Sequence, residues 1–251
     1  MPTKSMRHTL VLTLTMLFFG ASADADAIHV AVASNFTAAI TDIAKAFEQE
    51  HDHEIILVRG STGKLHAQIS NGAPFDAFFA ADARRPELLE EAGVALAGSR
   101  FTYAVGKIVL WSPDPALVDA RGEVLSTGDF HHLAIANPKL APYGKAAEEI
   151  MRSQGVWDAL QGRTVRGENI GQAFQFVSSA NAQLGFVAYS QIARPGVAIE
   201  GSYWEPPQSL YTPIEQQAVL LKDNDVARDF LAFVQGDEAR RIIQAHGYGT
   251  Q

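Results

Sequence analysis

Apolar residues in this chain recur in two alternating periods, one typical of β-strands and one typical of α-helices. Short β-rich runs such as Ile28–Ala33 are each followed by a loop of small and polar residues and then by a helical pattern. In the segment 37–49 the apolar residues share the spacing of one helical face: Ala39, Ile40, Ile43, Ala44 and Phe47. Strands that alternate with helices are typical of α/β folds with largely parallel sheets.

The same pattern predicts the order of elements over the rest of the chain. Strands are predicted over 28–33, 55–58, 77–80, 103–111, 133–136, 164–166, 184–188 and 217–221. Helices are predicted over 37–49, around 65–69, from 86 to 91, and over 145–153, 172–179, 226–235 and 237–245. The run 103–111 and the strand 217–221 are interpreted as connections between two lobes, which then comprise 28–104 plus 213–251 and 105–212.

The first 27 residues have the pattern of a secretory signal peptide. Lys4 and Arg7 form a basic start, an apolar run covers 10–19, and small residues follow, so that cleavage is expected after Ala23 or Ala27. A membrane anchor is the alternative, but the apolar run is well short of the roughly 20 residues that a spanning helix needs. We therefore expect an exported protein that is located in the periplasm.

Composition narrows the class of the mature protein. The chain contains no cysteine, which excludes a disulfide scaffold and the lipid-modified cysteine that tethers some exported proteins to a membrane. The formal net charge is −8 and no basic tract occurs, so nucleic acid is not an expected partner. An anionic ligand would not be attracted by this net charge and would have to be held by local, oriented hydrogen-bond donors.

Four junctions between a strand and the following helix carry the candidate chemistry: Ser34-Asn35, Ser61-Thr62-Gly63, Tyr143-Gly144 and Ile170-Gly171. Backbone N–H groups at a helix start lack intrahelical partners, and the helix dipole places partial positive charge there. Ligands of open α/β sheets bind at the carboxyl ends of the strands, where these junctions lie. Any single junction is better explained as an ordinary N-cap, but two junctions in each lobe predict an anion site between the lobes.

Competing motifs are weaker. The segment 60–64 resembles a phosphate-binding loop, but Val58 and Leu65 stand where that loop needs Gly and Ser or Thr. The histidine pairs at 51/53 and 131/132 lie in turns and have no carboxylate at helical spacing, so they are interpreted as surface residues rather than a metal site. Asp76 and Asp82 could form a catalytic carboxylate pair, but capping and loop-fixing roles are favoured for both.

Several segments, in order, resemble the periplasmic molybdate-binding proteins of ABC transporters. They are AVASNFTAAI, RGSTGKLHAQISNGAPFDAFFAAD, GKIVLW, AIANPKLAPYG and ENIGQAFQFV with LGFVA, and together they extend over residues 28–248. The resemblance implies a type II periplasmic binding protein, in which two α/β lobes joined by crossover strands close on an oxyanion by a hinge motion. It also implies a membrane permease as partner, no cofactor and no enzymatic activity, and we expect a monomer.

The resemblance further implies a set of ligand-binding residues that are neutral hydrogen-bond donors. Hydroxyl and backbone N–H groups would hold the anion, and the metal would be bound only as part of the oxyanion. The implied residues are Ser34, Asn35, Ser61, Thr62, Tyr143 and Ile170.

One position departs from many members of that family. A tyrosine often follows the LG-x-V strand in them, whereas this chain has Ala188 there. Tyr143, in the APYG loop, is similar to the replacement found in a subgroup of the family. Tyr189 is the alternative, but a shift of one residue along a strand reverses the side that a residue faces.

Three functions follow from these observations. The first is capture of molybdate, and also tungstate, for an ABC transporter, and the second is capture of sulfate or another tetrahedral oxyanion. The third, of a different class, is an exported hydrolase that uses Asp76 or Asp82. A shell of donors without a carboxylate would disfavour hydrogen phosphate, whose buried proton would lack an acceptor at a cost of about 1–3 kcal/mol.

Overall fold

Two mixed β-sheets, each with helices on both faces, make up residues 27–250, which are the part of the chain that this computed structural model describes. The predicted signal peptide lies outside the described residues except for Ala27, which begins the first strand. No helix within residues 27–250 is both long and apolar enough to cross a membrane.

The strands of the two sheets are β1 (Ala27–Ala33), β2 (Glu54–Gly60), β3 (Ala77–Phe79), β4 (Phe101–Gly106), β5 (Ile108–Ser112), β6 (Leu133–Ala136), β7 (Thr164–Gly167), β8 (Leu184–Ala188), β9 (Ser202–Trp204) and β10 (Ile214–Leu220). The α-helices are α1 (Thr37–Glu50), α2 (Thr62–Ser70), α3 (Arg84–Glu91), α4 (Val124–Thr127), α5 (Pro142–Ser153), α6 (Ile170–Ser178), α7 (Tyr189–Ile192), α8 (Asp225–Gln235) and α9 (Asp237–Ala245). Short 3-10 turns cover Ser34–Phe36, Gln161–Arg163 and Gln208–Leu210.

The two sheets have matching topologies. The first has the order β2-β1-β3-β10-β4 and the second the order β7-β6-β8-β5-β9. In the first sheet only β10 runs against its neighbours, and in the second only β5 does. Each sheet with its helices is called a lobe below. The α/β fold with two lobes and mostly parallel sheets, expected from the alternating pattern, is confirmed.

Each sheet buries apolar residues on both faces. Along β1, Ile28, Val30 and Val32 pack on the face covered by α1, α8 and α9, whereas Ala31 packs on the face covered by α2 and α3. In the second lobe, Leu133 of β6 faces the core that includes α5, and Ala134 faces α6. This period of two follows from the pleat of a strand, whose successive side chains point to opposite faces.

The β-rich run 103–111, which the sequence indicates to be a connection between the lobes, is not one continuous strand. The structure divides it into β4, which ends at Gly106, and β5, which begins at Ile108, so that the two halves belong to different sheets. The β-propensity of the run does not reveal this division, because each half continues to pair as a strand with its own neighbours. The strand predicted over 217–221 is β10, which begins three residues earlier and carries a β-bulge between Gln216 and Gln217.

Helix starts also differ from the predicted ranges. Helix α5 begins at Pro142 rather than at 145, because proline is accommodated at the first helical position, where its missing N–H is not needed. Helix α6 begins at Ile170 rather than at 172, because the side chain of Asn169 accepts a hydrogen bond from the Gln172 N–H and caps the helix. Both changes move predicted loop residues into the first turn of a helix.

Candidate functional site

A small cavity of about 10 Å³ lies between the lobes, at the carboxyl ends of strands from both sheets. All six residues expected to bind the anion line it. The complete lining is Ala33, Ser34, Asn35, Gly60, Ser61, Thr62, Ala81, Ala141, Pro142, Tyr143, Asn169 and Ile170. Residues that follow β1, β2, β3, β6 and β7 therefore meet at one point, as expected for ligand sites of parallel sheets.

Sequence reasoning missed one polar residue of this lining. Asn169 precedes α6 as its N-cap, and its side-chain oxygen accepts from the Gln172 N–H at 2.9 Å. The pattern of Asn followed three residues later by Gln is typical of a helix start and could have marked it. Because its oxygen is occupied by the cap, Asn169 holds the start of α6 in place beside the cavity.

Ser34 lies directly after β1 and connects the lobes. Its Oγ accepts a hydrogen bond from the Gly171 N–H of the second lobe at 3.1 Å. Because a 3-10 turn over Ser34–Phe36 separates β1 from α1, the serine lies before the helix proper.

Ser61 and Thr62 occupy the start of α2 and are almost fully buried. The Oγ of Ser61 accepts from the Lys64 N–H at 3.3 Å, which is the usual N-cap bond. The Oγ1 of Thr62 accepts from the Ala81 N–H at 3.1 Å, which ties the start of α2 to the residues that follow β3. Both hydroxyl oxygens thus receive a backbone proton.

Tyr143 belongs to the first turn of α5, which packs closely on β6. A Cβ at the next residue, Gly144, would lie 2.3 Å from the carbonyl oxygen of Ala136, so this approach requires glycine. The tyrosine is 1% exposed, and its Oη accepts from the side-chain Nε2 of Gln216 at 3.3 Å. Burial raises the pKa of Tyr143 well above its ordinary value, so its hydroxyl remains a proton donor.

Four hydroxyl groups of the lining have the same hydrogen-bonding arrangement, and they belong to Ser34, Ser61, Thr62 and Tyr143. Each accepts an N–H, and none donates its own proton to an acceptor within residues 27–250. Two nearby tyrosines behave differently, because Tyr103 donates to the Ala80 carbonyl and Tyr248 donates to the Asn35 carbonyl. The lining hydroxyls therefore have protons available for a ligand, and the cavity suits an acceptor.

The side chain of Asn35 does not act as a helix cap. Its Nδ2 donates to Gln216 Oε1 at 2.7 Å and to Tyr248 Oη at 3.1 Å. Tyr189, the alternative source of a tyrosine hydroxyl, is outside the lining and lies beside Tyr203 and Lys107.

Several direct contacts hold the lobes together around the cavity, and the Gln216–Tyr143 bond is one of them. The Gly63 N–H donates to the Leu140 carbonyl at 2.8 Å, and the Gly171 N–H donates to Ser34 as described above. Lys64 and Glu168 form a salt bridge of 3.1 Å between exposed side chains. Starts of helices from opposite lobes are thereby brought face to face.

The family model described as bacterial extracellular solute-binding protein matches residues 28–249. This match covers both sheets and every residue of the cavity lining. The chain belongs to this family. The two lobes and the cavity between them are therefore those of a bacterial extracellular solute-binding protein.

Proteins that are similar to this chain in sequence or in structure are named as molybdate-binding proteins. The chain is 48% identical over 245 residues to the molybdate-binding protein ModA of Azotobacter vinelandii, covering 96% of this chain and 97% of the relative. It is 47% identical over 233 residues to the molybdate-binding protein ModA of Rhodobacter capsulatus, covering 91% and 90%. The solved structure of the periplasmic molybdate-binding protein of Azotobacter vinelandii superposes with a TM-score of 0.87 at 43% identity, covering 89% of this chain and 99% of that one.

The two aspartates of the hydrolase alternative are engaged elsewhere in this solute-binding protein. Asp76 lies at the amino end of β3, away from the cavity lining, where it accepts from the His29 N–H at 2.7 Å and pairs with Lys222 at 3.0 Å. Asp82 accepts from the Arg85 N–H at 3.0 Å and forms a salt bridge with the same side chain. No cluster of three or more metal-ligating side chains occurs among the described residues.

Proposed function

We propose that this solute-binding protein captures molybdate between its lobes and delivers it to the membrane permease of an ABC transporter. The observation that carries the proposal is the shared polarity of the four lining hydroxyls, whose protons have no acceptor within residues 27–250. Two relatives at 47% and 48% identity that are named as molybdate-binding proteins support the choice of anion.

The proposed ligand-binding groups come from both lobes. Hydroxyl protons would be donated by Ser34, Ser61, Thr62 and Tyr143, and backbone N–H groups by Asn35 and Ile170. Partial positive charge at the starts of α2, α5 and α6 would add to the attraction, because unpaired N–H groups of a helix N-terminus favour an anion. Oriented donors explain how a chain with a formal net charge of −8 could hold a dianion.

A site that offers only hydrogen-bond donors would also discriminate between anions by their protonation state. Molybdate, tungstate and sulfate are fully deprotonated near neutral pH and can accept hydrogen bonds on every oxygen. Hydrogen phosphate carries a proton, and burying that proton without an acceptor costs about 1–3 kcal/mol. We therefore propose tungstate as a second ligand and expect rejection of phosphate. Sulfate, the smaller tetrahedron, remains the alternative within the same class.

Location and partner follow from the same proposal. We propose that residues 1–27 direct export, and that the mature chain works in the periplasm as a monomer with lobes of 28–104 plus 213–251 and 105–212. Mass spectrometry of the mature N-terminus would test the cleavage after Ala23 or Ala27. Capture and delivery require no chemistry on the ligand and no cofactor. A hydrolase would have to free Asp76 or Asp82 from the contacts that now hold them.

Titration calorimetry with molybdate, tungstate, sulfate and phosphate tests the proposal. We expect tight binding of molybdate and tungstate, weaker binding of sulfate and none of phosphate. Thermal unfolding gives an independent readout, since a ligand at a hundredfold excess over its Kd stabilises the folded state by about 2.7 kcal/mol. Absence of stabilisation by molybdate would contradict the proposal, and preferential binding of sulfate would favour the alternative.

A further inference from the structure

Gln216 lies at the centre of a buried hydrogen-bond network between the lobes. It is fully buried in β10, directly before the β-bulge. Its Oε1 accepts from Asn35 Nδ2 at 2.7 Å and lies 3.0 Å from Tyr103 Oη, whose one proton has this oxygen and the Ala80 carbonyl as its two acceptors. Its Nε2 donates to Tyr143 Oη, which belongs to the other lobe. Gln216 does not line the cavity, yet it contacts two residues that do.

The orientations of the two side-chain amides in this network are determined from one end. The single proton of the Tyr248 hydroxyl is donated to the Asn35 carbonyl at 2.8 Å, so toward the Asn35 side chain this hydroxyl can only accept. Asn35 must therefore present its NH₂ group to Tyr248, and the same group meets Gln216. Gln216 must in turn present its oxygen to Asn35 and its NH₂ group to Tyr143.

The last hydrogen bond of this network determines where the proton of Tyr143 can point. Because its oxygen already accepts from Gln216, the hydroxyl proton must point elsewhere, and no acceptor for it occurs within residues 27–250. The backbone packs tightly against this contact, since a Cβ at Gly106 would lie 2.2 Å from Tyr143 Oη and 2.6 Å from Gln216 Nε2. A glycine where the chain passes between the sheets is thus required for the two side chains to meet.

We propose that Gln216 is a positioning residue that determines the selectivity of the anion site. Its amide N–H occupies Tyr143 Oη and directs the phenolic proton to the anion, so that the site offers a donor there and no acceptor. This inference rests on the proposed function. It adds that the preference for a fully deprotonated oxyanion is set by a residue outside the cavity, through a bond between the lobes.

A double-mutant cycle on the full mature chain tests whether Gln216 acts through Tyr143. Gln216→Met removes the amide at similar length. Tyr103 keeps the Ala80 carbonyl as an acceptor and Asn35 keeps its bond to Tyr248, so the second Asn35 N–H is the one donor that loses its acceptor. We expect calorimetry to show that molybdate affinity falls about tenfold in the wild-type background, the loss expected for one hydrogen bond to a charged group. In the Tyr143→Phe background the further loss should be at most about twofold, because the group that Gln216 orients is absent.

Gln217→Met is the matched control. This neighbour on the same strand bonds to Arg100 at 2.8 Å and Thr102 at 3.1 Å, away from the cavity. We expect unchanged molybdate affinity. Equal losses from Gln216→Met in both backgrounds would overturn the inference, as would unchanged affinity in Gln216→Met.

Gln216→Glu separates hydrogen-bond polarity from packing. An ionised carboxylate can only accept, so it would draw the Tyr143 proton away from the anion, whereas a protonated carboxyl can donate as the amide does. Burial raises the pKa of such a carboxyl, and the tyrosines in contact with the network, Tyr103, Tyr143 and Tyr248, stay protonated because burial raises the pKa of each. Sulfate or molybdate affinity of this variant should recover as the pH falls from about 8 to about 5.5.

The methionine variant should show no such recovery, since it has no proton to gain. Equal behaviour of the two variants across this pH range would show that Gln216 acts only by packing and would overturn the inference. If the unaltered protein bound none of the oxyanions, the proposed function would fail and this inference with it. Binding by the unaltered protein together with an unchanged Gln216→Met variant would overturn the inference alone.

Discussion

At the scale of single residues, the hydroxyl groups that line the cavity have a hydrogen-bonding capacity beyond that of a helix cap. Each lining hydroxyl receives an N–H from the protein, and its own proton has no acceptor within residues 27–250. Capping a helix requires only the first of these two features. The distinction explains why the same residue types that cap ordinary helices can also select an acceptor ligand.

Thr62→Val directly tests whether a lining hydroxyl donates a hydrogen bond to the anion. The change keeps the shape of the side chain but removes Oγ1, so the proposed bond to the anion and the bond from the Ala81 N–H are both lost. We expect molybdate affinity to fall by about 1.5–3 kcal/mol in titration calorimetry, together with a smaller loss of about 1 kcal/mol in unfolding free energy. Thr62→Ser is the control and should retain most of the affinity, since it keeps the hydroxyl. Full affinity in the valine variant would exclude Thr62 from the site.

The pH profile of binding tests the protonation state of Tyr143. Burial raises its pKa well above the ordinary value of about 10, so the hydroxyl contributes its proton at every pH below that raised value. The contribution is lost only as the pH rises through the pKa of the folded protein. We therefore expect molybdate affinity to stay flat between about pH 6 and pH 9 in calorimetry. A decline within this window would indicate a titrating group in the site.

At the scale of elements, the position of a helix start depends on glycine at its contact with a strand. Gly144→Ala would place a Cβ 2.3 Å from the Ala136 carbonyl oxygen and force α5 away from β6. We expect a loss of about 1–3 kcal/mol in unfolding free energy, seen as a lower Tm. Gly162→Ala is the matched control in the same lobe, because no atom lies within 4 Å of its added Cβ. Equal Tm values for the two variants would contradict this account.

Elements with strong local signals were predicted closely, and those that depend on distant partners were not. The range of α9 agrees with its prediction, because acidic residues at its start and a regular apolar face are local features. The sequence indicates that the run 103–111 connects the lobes, but the residue at which it divides into β4 and β5 depends on which sheet each half joins. The six expected ligand residues were identified by resemblance and helix-start logic, and all line the cavity. The role of Gln216 required contacts across 73 and 181 residues of sequence.

At the scale of the whole molecule, closure depends on how near the lobes can approach. Gly63 lies at their contact, and a Cβ there would stand 2.9 Å from the Leu140 carbonyl oxygen and 3.0 Å from Arg85 Nη2. Gly63→Ala should therefore weaken molybdate binding by about 1–3 kcal/mol while leaving the ligand-free Tm nearly unchanged, because each lobe keeps its own core. Calorimetry and thermal unfolding of the same sample separate the two effects. An equal loss in both measurements would place the damage within a lobe instead.

The salt bridge across the same contact should matter far less. Lys64 and Glu168 retain 53% and 42% side-chain exposure, and exposed pairs contribute about 0–1 kcal/mol. We expect Lys64→Met to change molybdate affinity by less than about 1 kcal/mol at physiological salt. A larger effect that vanished at high salt would reveal an electrostatic contribution to closure beyond this pair.

The sheet order has a consequence for how the molecule is built. In the first sheet, β10 lies between β3 and β4, although it is the last strand in the chain. All strands of the second sheet lie between residues 108 and 204 and are contiguous in sequence. A chain that emerges from its amino end can complete the second sheet while the first still has an unfilled gap between two of its strands. The portion synthesised first is thus finished last.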